Sequence, residues 1–162
     1  MIPRPILGAL LALAMLFSGC ATTLPAPLLV ANVPLLRGTW EGTWAGTPLT
    51  LLIIDQEEFG ATSGVYLGSV QLLGQRVPGV SGVMTSTIGG NAVSVSVQGW
   101  LGTMDLRLAL VLSANTIYGP QYLTLTLVEE ERLAGTGQSE FPWGPTGPVE
   151  LTRRPATPGR AG

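Results

Sequence analysis

The sequence predicts an all-β fold: an antiparallel up-and-down barrel of about eight to ten short strands, with a β-sandwich as the alternative. Three observations carry this expectation. Apolar residues recur with period two along most of the chain, as in Val93, Val95 and Val97 set against Ser94, Ser96 and Gln98. Turn-forming clusters such as Pro78-Gly79, Gly89-Gly90-Asn91 and Gly119-Pro120 fall between these runs. No segment after the leader repeats its apolar residues with the helical period. The barrel is favoured because short links give sequential strands up-and-down order. Closure also removes edges that would invite aggregation in so Val- and Leu-rich a sheet.

Residues 1–19 read as a signal peptide. Arg4 precedes an apolar run from Ile6 to Phe17, and small residues follow. This run is shorter than the ~18 or more apolar residues that a membrane-spanning helix needs. The leader ends in Phe17-Ser18-Gly19-Cys20, which resembles the lipobox of bacterial lipoproteins, with Phe17 where that motif usually carries Leu. The resemblance implies that Cys20 receives a thioether-linked diacylglycerol, usually with a third acyl chain (often palmitate) on its amine, and becomes the mature N-terminus. Two or more chains hold a protein stably on a bilayer. Ala21 after the cysteine resembles the default outer-membrane signal, so the implied address in a host with two membranes is the periplasmic face of the outer membrane.

Residues 20–36 form a proline-rich, uncharged stretch and read as the lipidated cysteine plus a tether. The folded body is expected over residues 37–154, and residues 155–162 read as a disordered tail. Strands are expected, in order, at 38–44, 47–55, 62–69, 70–77, 80–88, 91–98, 104–112, 122–127, 132–139 and 149–153. The second is more continuously apolar than the rest, but its Ile and Thr suit a strand. The run 104–112 places Met104, Leu106, Leu108, Leu110 and Leu112 on one face. In 122–127, Leu123, Leu125 and Leu127 alternate with Thr124 and Thr126.

The opening of this body, Arg37-Gly38-Thr39-Trp40-Glu41-Gly42-Thr43-Trp44, followed by Leu51-Leu52-Ile53-Ile54 and Ser63-Gly64-Val65-Tyr66, resembles the start of calycin barrels such as lipocalins and avidins. The resemblance implies that Trp40 plugs one barrel end and that Arg153 or Arg154 covers it. Avidin's biotin contacts do not carry over, because Glu41, Gly42 and Thr43 stand where its polar ligands would be.

Catalytic chemistry is sparse. The chain has no His and no Lys, and Cys20 is its only cysteine. A Ser-His-Asp triad, a Ser-Lys dyad and a Schiff base are therefore excluded. Zinc would need carboxylates alone, which is rare. A net charge of −2 argues against nucleic acid. The acidic groups Asp55, Glu57, Glu58 and Glu129, Glu130, Glu131 are expected to cluster at turns and read as solvated. No catalytic residue, metal site or cofactor is expected. The candidate barrel-capping or interaction residues are Trp40, Trp44, Trp100, Phe141, Trp143, Arg153 and Arg154, since exposed aromatics and Arg are common anchors. The expected function is a lipid-anchored, non-catalytic structural or protein-interaction module of the envelope. The alternative is a carrier of a small apolar ligand within the barrel. The two differ in whether the interior is filled or hollow.

Overall fold

The computed structural model describes residues 26–27, 33–61, 66–67, 70–71 and 76–155. The expected signal peptide, Cys20, most of the stretch read as a tether and the expected tail beyond residue 155 lie outside them. The described strands are β1 (Ala26–Pro27), β2 (Gly38–Trp44), β3 (Thr47–Ala61), β4 (Tyr66–Leu67), β5 (Val70–Gln71), β6 (Arg76–Ile88), β7 (Asn91–Met104), β8 (Arg107–Thr116), β9 (Gly119–Glu129), β10 (Arg132–Ser139) and β11 (Gly147–Arg153). Eight of them close into an antiparallel up-and-down barrel in the order β2-β3-β6-β7-β8-β9-β10-β11, and β11 returns to β2. The closing seam pairs Val149 with Trp44, Leu151 with Gly42 and Arg153 with Trp40. No helix occurs among the described residues, and none there is long and apolar enough to cross a membrane.

Period-two alternation sorts side chains to the two faces of the wall. Trp40 and Trp44 of β2, Leu49, Leu51 and Ile53 of β3, Met84 of β6 and Leu110 and Leu112 of β8 point inward. Val97 and Leu101 of β7, Leu123 and Leu125 of β9, Leu133 of β10 and Val149 and Leu151 of β11 belong to the same packed core. All are essentially without exposed surface, including any that would face an internal void. The middle of the barrel is thus filled, as an eight-stranded barrel lined with bulky residues allows, while Val95 and Leu108, nearer its ends, are only partly buried against that core. Trp44 shows how tightly. A Cβ added at Gly137 would lie 2.4 Å from its indole Cε2 and 2.6 Å from Leu123 Cδ2, so only glycine leaves room for the ring.

The strands are longer than the alternation alone suggests, because several expected breakers lie inside them. Pro78-Gly79 sits within β6, opposite the register irregularity of β3 between Glu57 and Gly60. A bulge is one of the few places in a sheet where proline's missing N–H does no harm. β3 likewise runs past its expected end at residue 55, through Glu58-Phe59-Gly60, so Asp55, Glu57 and Glu58 lie in a strand and not in a turn, and β8 runs past residue 112, through Ser113-Ala114-Asn115. The expected strand 104–112 is instead split by a turn at Asp105-Leu106, with Met104 ending β7 and Arg107 opening β8. Leu106 is therefore a turn residue and not part of an inward face. Of the two strands expected over 62–77, the described residues show the short β4–β5 hairpin, which stands apart from the barrel sheet, and the first residues of β6.

The barrel has a lead-in end and a distal end. Residues 33–37 enter at the first, which also carries the β7–β8 and β9–β10 turns. The distal end carries the β2–β3, β6–β7, β8–β9 and β10–β11 connections. Three of the two-residue hairpins have positive φ at both central residues, the type I′ pattern that matches strand twist: Ala45-Gly46 (49° and 81°), Gly89-Gly90 (57° and 82°) and Asp105-Leu106 (51° and 63°). The first two place glycine second. The third places leucine there, at a cost of about 1–2 kcal/mol for a residue with a Cβ in this region.

Candidate functional site

At the lead-in end the segment before β2 folds over the barrel mouth. Leu36 is wholly buried and its amide donates to Gln56 Oε1 at 2.8 Å, while Gln56 Nε2 donates to the Pro34 carbonyl at 3.0 Å. The indole Nε1 of Trp40 donates to the Leu36 carbonyl at 2.9 Å. The guanidinium of Arg153 lies 4.6 Å from the centre of the Trp40 ring and donates to the Leu35 carbonyl. Arg154 takes a different position, paired with Glu41 at 3.0 Å on the outer wall. The two arginines thus divide: Arg153 covers the tryptophan and Arg154 does not. Arg37 pairs with Asp55 nearby, and Glu130-Glu131 form the β9–β10 turn, where the Glu131 carbonyl accepts from the Arg153 amide at 2.8 Å. These acidic residues lie at the surface, and among the described residues no three acidic or thiol groups gather where they could hold a metal.

The distal end carries the other aromatic group. Its scaffold is the β10–β11 connection, residues 140–146. The Glu140 amide donates to the Pro120 carbonyl at 3.0 Å, the Gly144 amide to the Phe141 carbonyl at 3.1 Å, and the Ser139 hydroxyl to the Pro145 carbonyl at 2.7 Å. Ser139 Oγ also accepts from the buried Gln121 amide at 3.1 Å, so the loop is tied to the wall at both its ends. Gly144 makes the turn possible: a Cβ there would lie 2.3 Å from Ser139 Cβ and 2.5 Å from Phe141 Cε2.

On this scaffold three rings meet. Phe141 is buried against Gly119, Trp143 is 62% exposed, and Tyr118 of the β8–β9 turn completes the group. Centroids are 5.9 Å apart for Phe141–Trp143, 6.0 Å for Tyr118–Phe141 and 6.4 Å for Tyr118–Trp143, with the last pair close to edge-on. Such pairs add about 0.5–1.5 kcal/mol each beyond area burial, enough to hold the rings in place. Ile117 beside them is 90% exposed. The result is a rigid apolar knob whose base is sealed and whose tip faces solvent.

Of the residues expected from the sequence, Trp40 and Arg153 come together at the lead-in end, and Phe141 and Trp143 at the distal end. Trp44 is an interior packing residue, its indole on Gly137, and its Nε1 has no hydrogen-bond partner among the described residues. Trp100 is buried on the outer face of β7, opposite Val111, and belongs to neither group. Sequence reasoning missed Ile117 and Tyr118. Their signal was present: two large apolar residues occupy a tight turn, where Gly, Asn or Asp is the usual choice.

Tyr122 stands beside this end. Its phenol is held above the usual value, first by burial, then by the charge of Glu140 and a hydrogen bond to it. The folded state keeps this proton at a pH where the unfolded chain has lost it. Stability is therefore expected to fall as pH rises above about 10, through the folded pKa, and Glu140→Gln to lessen that fall in alkaline unfolding curves. No protein-family model, no curated protein and no solved structure matches this chain.

Proposed function

We propose that the chain is a lipid-anchored envelope protein, acylated at Cys20, whose calycin-like barrel is a non-catalytic module presenting the Ile117–Tyr118–Trp143 knob to a protein partner. In a host with two membranes its place is the periplasmic face of the outer membrane. The observation that carries this reading is the knob itself: large rings preorganised at a barrel end and left in water. Interface hot spots are enriched in just such Trp and Tyr side chains, and a surface already rigid loses little entropy on docking. The filled interior supports this reading over that of an apolar-ligand carrier. The Trp40–Arg153 pair supports the calycin likeness.

The test places a photo-activatable cross-linker at Ile117 in cells, with Ser94 on the exposed outer wall of β7 as reference. A discrete adduct is expected from position 117 and not from position 94. Trp143→Ala and Tyr118→Ala together should weaken it by about 2 kcal/mol or more in affinity, roughly thirtyfold. The thermal midpoint should fall by several degrees, because the two deletions remove all three ring pairs, but the barrel core is untouched and the variant stays folded at the temperature of the assay. Equal adducts from both positions, or an adduct indifferent to the ring deletions, would overturn the assignment.

A further inference from the structure

We infer that the β7–β8 turn is a membrane-contacting finger, with Leu106 inserted into the interfacial layer of the bilayer to which Cys20 is acylated. The inference rests on the acylation proposed above.

Among the described residues Leu106 is the most exposed large hydrophobic side chain, at 102% of its reference area. It also occupies a backbone conformation that favours glycine, φ 63°, where the equivalent hairpin positions are Gly46 and Gly90. A leucine that is both strained and fully wet contributes nothing to the domain's own packing. An apolar surface outside the barrel would give it a use.

The register of β1 says which surface. β1 runs antiparallel to β7, with Ala26 opposite Thr103 and Pro27 opposite Gly102. β7 runs toward its turn at Asp105-Leu106, so the N-terminal side of β1 points toward that same turn. Cys20 precedes Ala26 by six residues, a separation that spans at most about 20 Å of extended chain. An acylated Cys20 therefore brings the bilayer surface to the lead-in end, within reach of the β7–β8 corner. Leu35, 63% exposed, lies at this end too, and the exposed Arg107 follows Leu106 directly. Long basic side chains snorkel at such a depth, with the apolar stem down and the charge at the headgroups. Glu129, which ends β9, and Glu130 and Glu131 of the neighbouring β9–β10 turn share the end. They keep that side off an anionic surface, while the exposed Asp105 and Arg107 flank Leu106 in and beside its own turn, so the contact is one apolar side chain between two charges that stay at headgroup level, and the barrel leans on its β7–β8 corner.

The test uses the full-length, membrane-processed protein carrying Leu106→Cys, reconstituted into phosphatidylcholine vesicles. Cys20 is the chain's only cysteine, so once its sulfur is acylated a polarity-sensitive thiol dye labels position 106 alone. Ile117→Cys at the distal end is the reference. The dye at 106 should be blue-shifted and quenched about threefold or more relative to 117 by bilayer-borne nitroxide, as expected for a group at interfacial depth. Leu106→Gly should raise the thermal midpoint by about 4 °C or more by relieving the strained turn. The same variant should lower hydrogen-exchange protection of residues 103–107 on vesicles. If Cys20 carries acyl chains by mass spectrometry and the dye at 106 meets aqueous quencher as freely as that at 117, the finger alone is overturned. A dye shielded from water yet untouched by the nitroxide indicates a protein occupant and also overturns it. Double labelling, with no acyl mass on Cys20, overturns the finger and the anchor together.

Discussion

Replacing Trp40 with Ala lowers the free energy of unfolding by about 3–5 kcal/mol, the range for removing a large buried aromatic from a core that cannot collapse around the gap. The effect falls at the top of that range because Trp40 closes the lead-in end. Its ring is 0% exposed, its Nε1 is the donor to the Leu36 carbonyl, and its outer face carries the Arg153 guanidinium. Removing it leaves the Leu36 carbonyl without that donor and loosens the segment that Gln56 clamps. Domains of this size are stable by only about 5–15 kcal/mol, so the variant is marginal. Its thermal midpoint falls by about 10 °C or more. Trp40→Phe keeps most of the volume but loses the donor, and costs about 1–2 kcal/mol. Arg153→Met costs about 1 kcal/mol in the native background, from the lost cation–ring contact. In the Trp40→Ala background it costs less, since the ring that it covers is gone and only its hydrogen bond to the Leu35 carbonyl is left to lose. Denaturant unfolding at constant m-value reads all three. A loss under 1 kcal/mol for Trp40→Ala, or additive behaviour of the two sites, would show that this end is not a coupled plug.

The barrel was legible because its strongest strands are half-buried. Val93, Val95 and Val97, then Leu123, Leu125 and Leu127, alternate with polar partners, and in a one-layer wall that alternation states which side is in. Where both faces are covered, the signal degrades. Ala109 and Val111 of β8 are buried on the outer face while Leu110 and Leu112 are buried inside; the run's register holds from Leu108 onward, but nothing in it marks the reversal, so its boundary with β7 was placed at the wrong residue. Proline and glycine marked borders only in part. Pro78 is tolerated within β6 because β3 bulges opposite it, a fact held by a neighbour about twenty residues away in sequence. The distal knob was half legible. Phe141-Pro142-Trp143 stood out in its loop, but its third ring, Tyr118, arrives from a different turn, and no local pattern reports the 6.0 Å meeting of Tyr118 with Phe141. Leu106 was misread for the opposite reason: it keeps perfect period with Leu108 and Leu110, and only the reversal at Asp105-Leu106 takes it out of that face.

Cys20→Ser is expected to abolish stable membrane attachment, and the physical reason is arithmetic. Each buried methylene contributes about 0.8 kcal/mol, so one chain binds marginally while two or three together dissociate too slowly to matter. A serine oxygen cannot form the thioether, so all the chains are lost at once. The processed variant should leave the detergent-rich phase by about a hundredfold or more in a phase-partition assay. A variant that keeps its leader is a separate case, because the leader is itself apolar. Retention of residues 1–19 would show as a larger chain, and its apolar run from Ile6 to Phe17 would still adsorb to membranes. The decisive quantity is therefore the mass of the N-terminal peptide in the unaltered protein: it should begin at Cys20 and carry acyl chains. A peptide that begins elsewhere, or begins at Cys20 with a free thiol, would leave the tether without an anchor, and would free the lead-in end of the barrel from any fixed orientation toward a bilayer.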